Sequence, residues 1–238
     1  MVERPRLCHC LCRTAFHPFG LALPKDRVVP RQNRVTPFGD IIAVPERGMF
    51  MGNRGCLHGE HGQLGQKRWA RKAWVTCTLT FKDRRREVMA PGEYTELFFL
   101  DEATALAAGH RPCAECRRQD FERFKRLWLE NNAGLLPRPL PTMAEIDAFL
   151  HEERVDRQRR QRHWWGAIGE VPDGAMIKLP NSQAPWLLWR GRLREWTPSG
   201  YRLSRRLPEG EVEVITPRSV CRVLAAGYVP QVHPSADA

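Results

Sequence analysis

An α+β fold is the class this sequence predicts, and three observations predict it. Short strand-like runs rich in aromatic and β-branched residues, such as Tyr94-Thr95-Glu96-Leu97-Phe98-Phe99-Leu100, are interspersed with amphipathic helical runs such as Arg117 to Glu130. The repeated strand-helix-strand order that builds a parallel sheet is not seen. A proline-rich run, Leu135 to Pro141, separates a loop-rich half from one whose strands follow one another through tight turns. The expected organisation is a flexible leader at 1–28, a small mixed sheet with short helices at 29–134, a stiff linker at 135–141, and a helix plus a small antiparallel sheet at 142–238.

The totals narrow the function classes. A chain of 238 residues with 42% hydrophobic content can bury a core. Its formal charge of +11 points to a polyanionic partner, because a basic surface attracts phosphates and releases their counterions; an arginine-rich composition with no specific partner is the competing explanation. No run approaches the ~18 apolar residues of a membrane span. Eight cysteines without regular pairing do not describe a secreted disulfide scaffold, so a reducing, cytoplasmic location is expected.

The leader contains Cys8-His9-Cys10-Leu11-Cys12, which lacks the two-residue gap that lets neighbouring thiolates share one tetrahedral ion. Asp40 to Val44 and Gly48 to Met51 are expected to pair as a hairpin turned by Pro45 and Gly48. A polar loop follows with Lys67, Arg68, Trp69 and Arg71, then an alternating strand from Trp74 to Phe81 in which Cys77 is expected to be a core thiol. Lys82 to Arg86, with Arg84, Arg85 and Arg86, makes a turn into a return strand at Glu87 to Met89. Asp101 is placed to cap a helix over Glu102 to Ala108, with Gly109 supplying a left-handed exit.

Beyond the linker, Thr142 and Glu145 form a capping box, and Met143, Ile146, Phe149 and Leu150 share one helical face. The pattern continues into a basic stretch from His151 to Arg162, either a solvated helix end or a phosphate contact, and the pair Trp164-Trp165 is expected to anchor the helix end, with stacking on a single strand as the alternative. Strands are then expected at Ala175 to Leu179, Trp186 to Trp189, Arg192 to Trp196, Tyr201 to Leu203 and Glu211 to Ile215. Arg190-Gly191 and Pro198-Ser199-Gly200 supply turns between them. Leu224-Ala225-Ala226-Gly227-Tyr228-Val229-Pro230 repeats the order seen before Cys113, without the cysteines, and Cys221 is expected to be packed.

The chemistry is concentrated in Gly109-His110-Arg111-Pro112-Cys113-Ala114-Glu115-Cys116, a Cys-x-x-Cys turn at the start of a helix. Two sulfurs so spaced can grip one tetrahedral ion, act as a redox dithiol, or remain unliganded. The redox use is expected near a strand-helix-strand unit, which this chain does not repeat.

The run from Phe99 to Arg117 resembles the second half of the Ada-type metal-binding domain of bacterial methyl-phosphotriester repair proteins, the likeness lying mainly in residues 97–118. That family carries a strand, a short helix and Ala-Gly-Tyr-Arg-Pro-Cys-x-x-Cys; here His110 stands at the tyrosine. The resemblance implies a zinc site completed from an upstream strand and loop. The equivalent stretch offers Cys56 with His58, or His61 as the alternative, so the expected ligands are Cys113, Cys116, Cys56 and His58. Apart from the resemblance, the basic residues themselves suit nucleic acid, with contacts expected through Lys67, Arg68, Trp69, Arg71, Arg84, Arg85, Arg86, Arg111, Arg117 and Arg118, since arginine forks grip phosphate and an indole stacks on a base; a soluble hairpin tip is the competing explanation of the same residues. The expected function is a zinc-bearing nucleic-acid-binding protein, DNA ahead of RNA. The alternatives are a methyl acceptor using Cys56, a metal-dependent nuclease with His58, His61 or His110 at an open metal position, and a zinc-stabilised adaptor for a protein partner.

Overall fold

A computed structural model of the protein describes residues 29–84 and 87–238. The leader with its cysteine cluster, and Arg85 and Arg86, lie outside the described residues. The fold is α+β, with two six-stranded sheets and four α-helices among the described residues.

The first sheet uses β1 (Gln32–Val35), β2 (Ile41–Ala43), β3 (Phe50–Asn53), β4 (Val75–Cys77), β5 (Leu97–Phe99) and β6 (Arg111–Pro112), ordered β2-β1-β5-β3-β4-β6. Pairs β1–β5 and β4–β6 are parallel and the others antiparallel. The hairpin expected between Asp40–Val44 and Gly48–Met51 does not form. β2 turns back onto β1, while β3 lies between β4 and β5. Gly48 permits this approach, since a Cβ there would sit 1.7 Å from the Phe99 carbonyl oxygen. The return strand expected at Glu87–Met89 is also not formed; Met89 has φ 62° and its amide donates to the Glu96 carboxylate at 2.7 Å.

Between β5 and β6 runs α1 (Glu102–Ala107), all six of whose residues are buried. Alanines at 103, 105, 107 and 108 make it slim enough to lie between layers. Asp101 caps it, accepting from the Thr104 amide at 2.8 Å and hydroxyl at 2.7 Å. Gly109, at φ 81°, ends it as a Schellman motif in which its amide reaches Leu106 O and that of His110 reaches Ala105 O. The end of the last helix repeats this geometry, with Gly227 at φ 95° and Tyr228 in the places of Gly109 and His110.

Next come α2 (Arg118–Asn131), which buries Phe121, Phe124, Leu127 and Trp128, and α3 (Met143–Arg154), opened by the Thr142–Glu145 capping box. The second sheet contains β7 (Trp164–Ala167), β8 (Met176–Lys178), β9 (Pro185–Trp189), β10 (Arg192–Thr197), β11 (Gly200–Arg205) and β12 (Glu211–Val214), and α4 (Arg218–Ala225) follows it. It is antiparallel throughout, in the order β11-β10-β9-β8-β12-β7. Arg190 and Gly191, with φ of 51° and 68°, form the tight turn between β9 and β10. The basic stretch after His151 is not helical to Arg162. The helix stops at Arg154, and Trp164-Trp165 belongs to edge strand β7, with Trp165 55% exposed.

Packing crosses the proline run. Leu106, Phe124, Leu127 and Trp128 share one core with Ile146, Leu150, Ile177, Trp186, Val212 and Val223. On the other side, Ala103 and Ala107 of α1 pack against Met176, Leu187 and Trp196 of the second sheet. A buried polar network reinforces the contact: Glu102 accepts from Arg117 at 2.7 Å, from the Tyr228 hydroxyl at 2.6 Å and from the Gln231 amide at 2.9 Å. Beside it, Asp101 accepts from the Tyr201 hydroxyl at 2.8 Å and the His233 amide at 3.0 Å. No described helix is long and apolar enough to cross a membrane.

Candidate metal centre

Strand pairing builds the centre. β4 runs parallel to β6 with Val75 opposite Arg111 and Thr76 opposite Pro112, and the Cys113 amide continues the ladder onto Thr76 O at 2.9 Å. Cys77, one residue further along β4, therefore arrives beside Cys113. The chain then turns, Arg117 N bonding Cys113 O at 3.1 Å, so that Cys116 comes back to the same place as α2 begins. The sulfurs of Cys77, Cys113 and Cys116 all lie within 4.8 Å of one another. Three sulfurs on one tetrahedral zinc lie about 3.8 Å apart, given Zn–S bonds of about 2.3 Å. Closing the trio by up to about 1 Å therefore brings the three sulfurs to the spacing of metal ligands, and side-chain rotation alone is of that order. The three thiols could hold a metal ion.

The electrostatics of the trio agree with that use. Cys113 ionises most readily: the Cys116 and Cys77 thiols donate to it, and the Glu115 amide points at its sulfur from 3.4 Å, which outweighs burial. Donating to Cys113 pushes the Cys77 and Cys116 thiols up in turn. One thiolate is thus stabilised by its neighbours, whereas three packed together require a cation between them. A redox dithiol uses two sulfurs, whereas three converge here, as a metal donor set would need.

Cys77 is the residue that sequence reasoning placed in the core, and it is partly buried at the end of β4. Its partnership with Cys113 depends on the parallel register of β4 and β6, which neither segment encodes locally. Of the four expected ligands, the structure brings together Cys113 and Cys116 and leaves Cys56 and His58 elsewhere. Cys56 is exposed, its thiol directed at His58 O at 3.6 Å. His58 is buried, with Nε2 donating to Ala90 O at 3.0 Å and Nδ1 bonded to the Thr95 hydroxyl at 2.6 Å. With the ring proton on Nε2, Nδ1 accepts from the Thr95 hydroxyl, whose oxygen in turn accepts from the Leu57 amide at 2.8 Å, leaving the ring no lone pair for a metal unless a bond breaks. His61 is exposed in a turn, and Cys221 is packed in α4.

The basic residues divide into two sets. Lys67, Arg68, Arg71, Arg84 and Arg118 are exposed and Trp69 is half-buried. Arg84 pairs with Glu115 at 2.6 Å beside the cysteine turn, and Arg118 pairs with Glu122 at 2.6 Å. Arg111 and Arg117 are not presented to solvent. Arg111 grips Asp147 of α3 through two bonds of 2.7 Å, and Arg117 holds Glu102 and Asp120 with its guanidinium over the Phe50 ring. Both flank the Cys-x-x-Cys turn and fasten it to the rest of the molecule.

Comparison with protein-family models, with functionally described proteins and with solved structures finds no match to this chain.

Proposed function

We propose that the chain is a zinc-bearing nucleic-acid-binding protein of the cytoplasm, with DNA preferred to RNA, in which the metal is structural. The convergence of the Cys77, Cys113 and Cys116 sulfurs within 4.8 Å carries the metal part of this reading. Zinc is the ion of choice because soft thiolates in a reducing compartment select it and it needs no redox partner. It would tie β4, the β6 turn and the start of α2 to one point, and the Ada-like character of residues 97–118 supports the same view. The nucleic-acid part rests on the formal charge of +11 and on the exposed run Lys67, Arg68 and Arg71 beside Trp69.

Gel-shift titration of the zinc-loaded protein with duplex and single-stranded DNA and RNA tests it. Affinity should fall with salt, log K against log salt having a slope of about −0.9 for each duplex phosphate contacted. No binding at low salt, or affinity indifferent to salt, would sink the nucleic-acid reading.

A second reading has one observation in its favour. A tetrahedral ion on these three thiolates has a fourth position that they do not supply, where a water could be activated for hydrolysis. Cleavage of a nucleic acid by the zinc-loaded protein, lost in Cys113→Ser, would favour that reading over a purely structural metal.

A further inference from the structure

A cavity of about 430 Å³, with no cysteine in its lining among the described residues, opens between the loop after β1, the loop after β3 and the turn after α3. Five arginines line it, Arg54, Arg68, Arg154, Arg159 and Arg160, against one acid, Asp40. Two of the five are deep in the protein: Arg54 is 2% exposed and Arg154 1%. Their guanidinium groups lie over the same indole, 4.0 and 3.7 Å from the centroid of Trp74. Neither bonds a carboxylate of the described residues. Arg54 donates to His110 Nε2 at 3.3 Å and to Gly39 O at 3.1 Å, and Arg154 to Gly109 O at 2.6 Å and to Lys72 O. A buried donor on each, Arg54 Nη2 and Arg154 Nε, has no hydrogen-bond partner among the described residues.

Such an arrangement is expensive. Buried cations are normally neutralised by a carboxylate, and an unpaired buried donor adds its own desolvation penalty. Burial first, then Arg68, brings the Arg54 pKa down to about 9. At neutral pH the group is still charged. An anion that reaches Arg54 Nη2 and Arg154 Nε removes both penalties, and a tetrahedral phosphate offers oxygens enough to meet one donor from each guanidinium at once.

The walls indicate what the phosphate is attached to. Trp69, half-buried at the rim, and the Phe38–His163 ring pair at 5.7 Å supply flat surfaces, and Gln66 and Gln158 supply amides. The frame is held in place. Gln161 donates to Pro37 O at 3.1 Å and Ala107 O at 2.8 Å, and Gly39, at φ 78°, faces Gln161 so closely that a Cβ would lie 2.6 Å from its oxygen.

We propose that this cavity binds a nucleoside phosphate, with the phosphate on Arg54 and Arg154, Arg68 and Arg159 closing over it, and the base against Trp69. Phosphate binding stands on the arginines alone; the choice of a nucleoside as its carrier rests on the nucleic-acid reading above. The carrier is either a free nucleotide or the phosphorylated end of a strand, and the test separates them.

Calorimetric titrations of the full chain with AMP, adenosine and one short single-stranded DNA, with and without a 5′-phosphate, decide it. AMP should bind saturably and adenosine at least about tenfold more weakly, and Arg68→Ala and Arg159→Ala, both at exposed positions, should each weaken AMP by about fivefold. Arg54→Met should abolish binding, and the two exposed variants keep the test open if that protein does not fold. A phosphorylated strand at least about tenfold tighter than its hydroxyl twin assigns the cavity to strand ends. AMP binding with neither strand bound supports the cavity as a free-nucleotide site and contradicts the nucleic-acid reading. Equal binding of both strands without AMP binding overturns the proposal and leaves that reading intact. No binding of any of the four overturns both.

Discussion

Replacing Glu102 by Gln should destabilise the protein more than any exposed ion-pair change. Both side chains of the Glu102–Arg117 pair are 2% exposed, and the carboxylate accepts three hydrogen bonds at 2.6 to 2.9 Å, from Arg117 just before α2, from Tyr228 just past the end of α4 and from Gln231 of the C-terminal segment. Glutamine keeps one acceptor and turns the other into a donor that faces a donor. It also leaves the buried guanidinium with Asp120 alone, whose side chain is 37% exposed. Breaking one side of a buried pair costs about 3–5 kcal/mol. For a chain of this size each kcal/mol is worth about 2–4 °C, so the melting temperature should fall by about 6–20 °C. The assay is thermal and urea unfolding followed by far-UV circular dichroism. The double variant Glu102→Gln/Arg117→Met should lose less than the sum of its singles, because removing the charge also removes the unpaired cation. A loss below about 1 kcal/mol for Glu102→Gln, or strict additivity of the pair, would refute the argument that this network fastens α1 to its neighbours.

Two further outcomes follow from local geometry. Gly48→Ala should cost about 3 kcal/mol or more, since its Cβ would meet the Phe99 carbonyl oxygen at 1.7 Å and force β3 from β5; an unchanged urea midpoint would contradict that strand order. Stability should also fall as pH drops from about 6.5 towards 4. His110 is held well below its ordinary pKa by burial, then Arg54 and Arg154, and His151 is brought down to about 4 by burial, then Arg154 and Lys72. Between those folded values and the unfolded value of about 6.5 the unfolded chain binds more protons, so acid favours unfolding; a urea midpoint constant across that window, or one that rises on acidification, would contradict it.

The features legible in the sequence are those written locally. Asp101 ahead of its helix, Gly109 behind it, the Thr142–Glu145 box and the Arg190-Gly191 turn each act within a few residues, and each is where the sequence puts it. β1 was not legible, because Gln32-Asn33-Arg34 reads as a polar loop until Asn33 and Val35 are buried beneath partners far along the chain. β7 was hidden for a similar reason: Trp164-Trp165 carries a strand's geometry only because β12 pairs with it. The arginines show the same limit. Arg111, Arg117 and Arg154 look like a basic surface in one dimension, yet each has a buried partner or aromatic ring supplied from a distant segment. Cys113 and Cys116 announce themselves by spacing, whereas Cys77 joins them only through the β4–β6 register.

That third thiol is the central claim, and metal stoichiometry tests it most directly. Native and elemental mass spectrometry of the wild type beside Cys77→Ser, Cys113→Ser and Cys56→Ser should show about one zinc per chain in the wild type and Cys56→Ser proteins, with a loss in Cys77→Ser as deep as in Cys113→Ser. Zinc retained in Cys77→Ser but lost in Cys56→Ser, or no metal in a well-folded wild type, would contradict it.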